Sequence, residues 1–284
     1  MHIIVHLSDG FGNQLFSYAF GYALSQDLKV ELCIDTSMHD YGIAPRLELL
    51  NFDIQYSKRI SYAYYHDIIN RAVFNKIRQR NAIGWTTHTY CENKPTVYDA
   101  QTKNITENTF FRGYWQTEKY FKKYRAELLE MFQPKSERSV DVRKMIEMVS
   151  QKNSVAIHVR RGDYISIGCH LQMDFYDKAI CFIKEKLGSN LSFYVFSDDL
   201  SFCKQYFKKF NDTIKIEYLK YLSDNTTLDD LLIMSHCRHI IMANSTYSWW
   251  GAWLNQNENK IVVCPELGMW TGDFYPKEWI KIKI

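Results

Sequence analysis

Three short segments of the chain gather residue types that handle phosphate and charge. His158-Val159-Arg160-Arg161-Gly162-Asp163 closes an apolar run that begins at Ser154 and turns out through a glycine. Side chains alternate across a strand, so His158 and Arg160 share one face and Arg161 takes the other. An imidazole and a guanidinium then aim into one crevice, and the guanidinium supplies a planar, permanently charged fork of donors that suits a phosphate. The structural alternative is an ion pair from Arg160 or Arg161 to Asp163 that pins the turn. Asn244-Ser245-Thr246 precedes an apolar helical pattern. Ser and Thr are good N-caps there, and the N–H groups beside them make an anion site. Asp9-Gly10-Phe11-Gly12-Asn13 follows the first apolar run, where the glycines allow close backbone approach to a ligand or simply make a tight turn. That turn lacks the G-x-G-x-x-G of a dinucleotide fold and the Gly-Lys-Ser/Thr of a P-loop, which disfavours dehydrogenases and kinases.

Further candidates carry more than one reading. Asp198-Asp199 and Asp229-Asp230 stand where helices begin, so they answer the helix dipole, yet a carboxylate also accepts two hydrogen bonds from the N1–H and amine of guanine. Physical chemistry alone does not choose between the pairs. His6, on the first strand, and Asp9, beside the glycine turn, are candidates for a general base, each with a structural alternative. Tyr114, Trp115 and Gln116 offer a stacking platform for a sugar ring or a plain buried aromatic cluster.

The elements that must position these residues follow from periodicity. A strand over 2–7, a turn over 8–12, a helix over 13–26 and a strand over 30–34 make a βαβ opening. Residues 41–132 are less regular, with aromatic clusters at Tyr62-Ala63-Tyr64-Tyr65 and around Phe110 to Trp115, then a helix over 118–131. The polar stretch 134–139 is the candidate crossing between lobes. Strands then alternate with helices: strand 154–159, helix 173–187, strand 192–196, helix 200–210, strand 214–218. Helix 228–237, strand 239–243, helix 247–255 and strand 260–264 complete a doubly wound α/β lobe whose crevice lies at the carboxyl ends of its strands.

Composition narrows the function. The 284 residues are 46% hydrophobic and 15% aromatic, with 5 Pro and 12 Gly, which describes a folded protein of one or two domains. A net charge of +3 without like-charge runs argues against a nucleic-acid partner and suits a small anionic ligand. The 7 cysteines form no C-x-x-C pair, which points to reduced thiols rather than a zinc site or disulfides. No apolar stretch is long enough for a signal or a span, so a cytoplasmic protein is expected, its Lys/Ile tail at 279–284 being an exposed edge strand or a peripheral membrane contact.

Taken in order, Gly10-Phe11-Gly12-Asn13-Gln14-Leu15-Phe16, Gly113-Tyr114-Trp115-Gln116, the His158–Tyr164 segment, Phe196-Ser197-Asp198-Asp199 and Asn244-Ser245-Thr246-Tyr247-Ser248-Trp249-Trp250-Gly251 resemble the bacterial α-1,2-fucosyltransferases of glycosyltransferase family 11. The resemblance implies a GT-B-type two-lobed α/β fold with Rossmann-like doubly wound parallel sheets. It implies an N-terminal acceptor-side lobe over 1–135 and a C-terminal GDP-fucose-binding lobe over 136–284. It also implies inverting transfer of L-fucose from GDP-β-L-fucose to the 2-hydroxyl of a glycan acceptor, a galactoside or a lipid-linked glycan, with no metal and no cofactor. Carried over residue by residue, Arg160 binds the pyrophosphate, His158 and Asp230 contact guanine, and Asp198, Asn244, Ser245 and Thr246 complete the donor site. Gly12 and Asn13 belong to the loop of the other lobe that closes over the donor; the acceptor role of Tyr114, Trp115 and Gln116 rests on their residue types alone. Asp9 departs from the pattern, since bacterial members often carry Gly-Gly there. Transfer to another hydroxyl, or sugar-nucleotide binding without catalysis, are the alternatives.

Overall fold

The computed structural model describes residues 1–61, 88–219, 227–268, 270 and 272–284, so the aromatic cluster at 62–65 lies outside the described residues. The chain divides into two compact units, the first comprising 1–135 with 272–274 and the second 136–271 with 275–284. A single cut in the sequence does not anticipate the return of 272–274 to the first unit.

In the first unit, strands β1 (His2–His6), β2 (Glu31–Asp35), β3 (Lys58–Ile60), β4 (His88–Cys91) and β5 (Thr109–Arg112) form one sheet in the order β3-β2-β1-β5-β4. Every pairing in it is parallel. Helix α1 (Phe11–Leu28) crosses from β1 to β2, and every residue from Phe11 to Ser25 except Asn13 is buried. A helix covered on all sides carries apolar residues on every face, as this one does, with Gln14, Ser17 and Ser25 its buried polar residues. It lies so close to the sheet that a Cβ on Gly21 would stand 2.7 Å from Val5. Its outer face meets aromatic rings, with Phe20 stacked on Trp115 and Phe16 against Phe121. A short helix α2 (Ser37–Asp40) follows β2.

The helix expected over 118–131 is broken. Glu118–Tyr120 and Lys122–Tyr124 are single 3₁₀ turns, and only α3 (Arg125–Met131) is α-helical. Phe121 leaves helical backbone, at φ −131°, and buries its ring completely. Strands β3 and β4 escape the periodicity because they are short, largely exposed edge strands with no alternating apolar face.

The second unit holds α4 (Val140–Gln151), β6 (Ser154–Val159), α5 (Gly162–Ser166), α6 (Asp174–Leu187), β7 (Ser192–Ser197), α7 (Leu200–Phe207) and β8 (Lys215–Tyr218). Then come α8 (Thr227–His236), β9 (His239–Ile241), α9 (Thr246–Leu254), β10 (Val262–Glu266) and β11 (Ile280–Lys283). The sheet order is β11-β10-β9-β6-β7-β8, parallel throughout. Strand β6 is buried along its whole length, as a central parallel strand must be. The chain runs outward from β6 through β7 and β8, then returns to β9 on the other side. The order therefore reverses between β6 and β9, and ligands of such sheets sit outside the carboxyl ends of the strands at that reversal. Strand β11 closes the sheet as an edge strand with Lys281 and Lys283 exposed. Among the described residues no helix is long and apolar enough to cross a membrane.

Candidate functional site

The loops that leave β6 and β9 carry the two phosphate-handling segments, one on each side of the reversal. His158 is the penultimate residue of β6 and is 5% exposed. Burial, and after it the charge of Arg160, push its pKa down to about 3, so the ring is neutral at working pH. Its Nδ1 has no hydrogen-bond partner among the described residues, and its ring lies 5.4 Å from that of Tyr247. The Tyr247 hydroxyl in turn donates to the Thr227 carbonyl at 2.6 Å, which ties α9 to the start of α8.

Arg160 follows directly and is gripped by two carboxylates, Asp163 at 2.7 Å and Asp198 at 2.9 Å. The guanidinium also lies 5.5 Å from the Tyr164 ring. Arg161 diverges, as the alternation predicts, sitting 3.3 Å over the Phe202 ring and 3.2 Å from Asp199. The loop-pinning ion pair to Asp163 thus belongs to Arg160, the same residue whose type and position suit phosphate. Asp198 is fixed from behind, because one oxygen accepts the Arg161 N–H at 2.9 Å. A Cβ on Gly162 would stand 2.7 Å from its other oxygen. Asp199 caps α7 through the Phe202 N–H.

Beyond β9, Ser245 is the N-cap of α9, its hydroxyl accepting the Tyr247 N–H at 3.2 Å, and Thr246 opens the helix. Asn244 is buried; its amide donates to the Cys169 carbonyl at 2.7 Å, while its Oδ1 has no partner among the described residues. The Tyr164 hydroxyl reaches the Asn244 carbonyl at 3.5 Å, so the two loops are joined. Asp229 and Asp230 occupy the first turn of α8, and they differ sharply. Asp229 is 1% exposed and bound by both arms of Arg138, at 2.5 and 2.9 Å, whereas Asp230 is half-buried. The sheet reversal thus gathers His158, Arg160, Asp198, Asn244, Ser245 and Thr246, with Tyr247 leading on to the helix that bears Asp230.

At the carboxyl end of the first sheet, His6 and Asp35 are register partners on β1 and β2, and the His6 Nδ1 lies 2.6 Å from the Asp35 carboxylate. Asp35 is fully buried and accepts further hydrogen bonds from the Ser37 N–H and hydroxyl. Asp9 sits in the left-handed region, at φ 58°. That conformation favours glycine and tolerates Asp, which accounts for an acidic residue at a glycine position. Gln14, part of the quoted motif but given no role there, is a buried clamp: its amide donates to the Asp9 and Arg46 carbonyls, and its oxygen accepts from the Glu48 and Leu49 N–H groups. Gly12 is buried in the first turn of α1, and Asn13 accepts a hydrogen bond from Gln116 at 3.0 Å.

Tyr114 is half-buried and hydrogen-bonds Asp9; burial first, and that bond second, push its phenol up to about 12. Trp115 corrects one expectation. It is fully buried and stacked on Phe20 at 4.0 Å between rings 8° from parallel, so it belongs to the core and has no face to offer a sugar. The sequence reading also missed Glu92, Tyr164 and Tyr247, the last two inside quoted motifs but without a role. Each is held by a contact across 20 or more residues that no local pattern announces.

The family model described as glycosyl transferase family 11 matches residues 3–283. The chain belongs to that family. It is 31% identical to an α-1,2-colitosyltransferase of Escherichia coli over 99% of both chains. It is 30% identical to the O-antigen biosynthesis glycosyltransferase WbnK of the same species, over 91% of this chain and 92% of that one. Among solved structures, the fucosyltransferase NodZ from Bradyrhizobium superposes with a TM-score of 0.52 at 15% identity, covering 88% of this chain and 91% of NodZ. NodZ has also been solved after soaking with GDP-fucose, and that structure gives a TM-score of 0.51. The likeness shows the fold: this family 11 chain is an α/β protein of the GT-B type with two parallel sheets.

Proposed function

We propose that the protein transfers L-fucose from GDP-β-L-fucose to the 2-hydroxyl of a galactoside-containing glycan, with inversion and without a metal. The observation that carries this reading is the charge arrangement at the β6/β9 reversal. A neutral, buried His158 with an unused ring nitrogen stands beside Arg160 and faces the capped N-terminus of α9 across two joined loops. The nucleotide base is read by His158 and by Asp230, whose carboxylate matches the paired donors of guanine. Arg160 and the Ser245–Thr246 N–H groups take the charge that develops on the leaving phosphate, a preorganised electrostatic contribution that needs no metal.

Attack by the acceptor hydroxyl requires removal of its proton. His6 is the better-formed base, because Asp35 holds its Nδ1 side and leaves Nε2 to accept. Asp9 is the weaker choice, since its backbone position suits glycine and its carboxylate is already engaged by Tyr114. At the carboxyl end of the first sheet, Tyr114 and Gln116, the latter bonded to Asn13, contact the acceptor.

The colitosyltransferase relative favours a second donor sugar, colitose, which is fucose without its 3-hydroxyl. The test is transfer from GDP-fucose and GDP-colitose to a β-galactoside in EDTA, with GDP release and product linkage measured. A 2-linked fucoside confirms the reading, and exclusive use of colitose replaces the donor sugar. Absence of GDP-sugar binding overturns the reading altogether.

A further inference from the structure

We propose that Glu92 is a positioning residue for the transfer reaction, acting through the segment 113–116 that carries Tyr114 and Gln116. The inference rests on the reading just given, in which those two side chains meet the acceptor. Glu92 directly follows β4, and Gly113 directly follows the neighbouring β5. Both carboxylate oxygens of Glu92 are used, one accepting the Tyr114 N–H at 2.6 Å and the other the Trp115 N–H at 2.8 Å. Two consecutive backbone donors thus converge on one side chain. A Cβ on Gly113 would collide with Glu92, so the approach is open only to glycine.

Trp115 takes a left-handed backbone, at φ 55°, which a bulky residue adopts only when its surroundings impose it. Glu92 supplies that constraint from one side, and the stack on Phe20 supplies it from the other. From this turn Tyr114 reaches Asp9, and Gln116 donates to Asn13 at 3.0 Å. Glu92 thus acts on the segment through its backbone, fixing where these groups stand. Its state of charge matters, because an ionised carboxylate accepts both N–H groups while a protonated one turns an O–H donor toward one of them. Burial pushes the Glu92 carboxyl up to about 7. The phenols that feel its charge, Tyr114 and Tyr120, are pushed upward and stay neutral there, so near neutral pH Glu92 is the group of this set that titrates.

The test compares wild type, Glu92→Gln, Tyr114→Phe and the double variant. Measured are kcat and acceptor KM from about pH 5.5 to 9, GDP affinity by calorimetry, and amide hydrogen exchange over 113–116. Glu92→Gln lowers kcat about tenfold or more, leaves GDP affinity within about twofold, changes the shape of the acid limb by removing the Glu92 titration while leaving that of the base, and speeds exchange in the segment. Tyr114→Phe lowers kcat less and adds nothing in the Glu92→Gln background. A Glu92→Gln protein that melts earlier yet keeps the wild-type kcat and pH profile reduces Glu92 to a structural residue and overturns the proposal. Unchanged exchange overturns it too, even if the wild type transfers no sugar, which is the separate failure of the functional reading.

Discussion

Removing Arg138 tests how the two adjacent acids of α8 divide their work. Arg138 holds Asp229 with two charge-assisted hydrogen bonds, and the Asp229 side chain is 2% exposed. Arg138→Leu takes the guanidinium from a buried carboxylate, a change that generally costs about 3–5 kcal/mol. The first turn of a helix supports a negative charge by about 0.3–1 kcal/mol, so a loss near 3 kcal/mol is expected. In the double variant Arg138→Leu/Asp229→Leu no charge is left inside, and about half or more of the loss returns. Urea denaturation followed by tryptophan fluorescence reads the effect, because Trp249, Trp250, Trp253 and Trp279 are buried in the same unit. GDP affinity reads the other half of the argument. It stays within about threefold in the double variant, while Asp230→Asn, which removes charge-assisted hydrogen bonds worth about 1.5–3 kcal/mol, weakens GDP by about 10- to 150-fold. The reasoning is refuted if the double variant is no more stable than Arg138→Leu, or if Asp230→Asn leaves GDP binding intact.

Arg160→Ala lowers kcat by about 100- to 1000-fold. It leaves stability within about 1 kcal/mol, because the ion pairs to Asp163 and Asp198 are partly exposed; stopped-assay rates and melting curves check both. His6→Gln removes the proposed base and lowers kcat by about 100-fold or more, while Asp9→Gly stays within about tenfold of wild type; the reverse order of effects moves the base to Asp9. His158 makes stability depend on pH. Its folded pKa, near 3, lies below the unfolded value of about 6.5, so between these values the unfolded chain binds the extra proton and stability falls as pH falls. Urea midpoints measured down from about pH 6.5 show that slope, and His158→Gln flattens it.

What was legible in the sequence was whatever depends on local pattern. Strand β6 spans the six residues that its apolar run and the following glycine turn define, and the second sheet follows from strands and helices that alternate at regular spacing. The opposite courses of Arg160 and Arg161 follow from strand alternation alone, and the Ser245 cap from its residue type and place. The edge strand of the tail follows from alternating Lys and Ile.

What was not legible depends on contacts between distant segments. No local pattern says that Asp229, of the two neighbouring acids, is the one that Arg138 chelates from 91 residues away. Nor does any pattern separate Trp115, locked in the core against Phe20, from Tyr114, which reaches the loop after β1. Alternation would give consecutive side chains opposite sides in either case, but which side is core depends on where α1 lies. The same holds for Glu92. Its isolated place after an exposed edge strand reads as solvent-facing, and only the parallel pairing of β4 with β5 brings it under the backbone of 113–115. The glycine at 113 is the trace this leaves in the sequence, and its meaning appears only with the carboxylate beside it. The candidate site is therefore displayed at strand ends by residue types that the sequence shows, while the buried partners that aim those residues stay concealed in it.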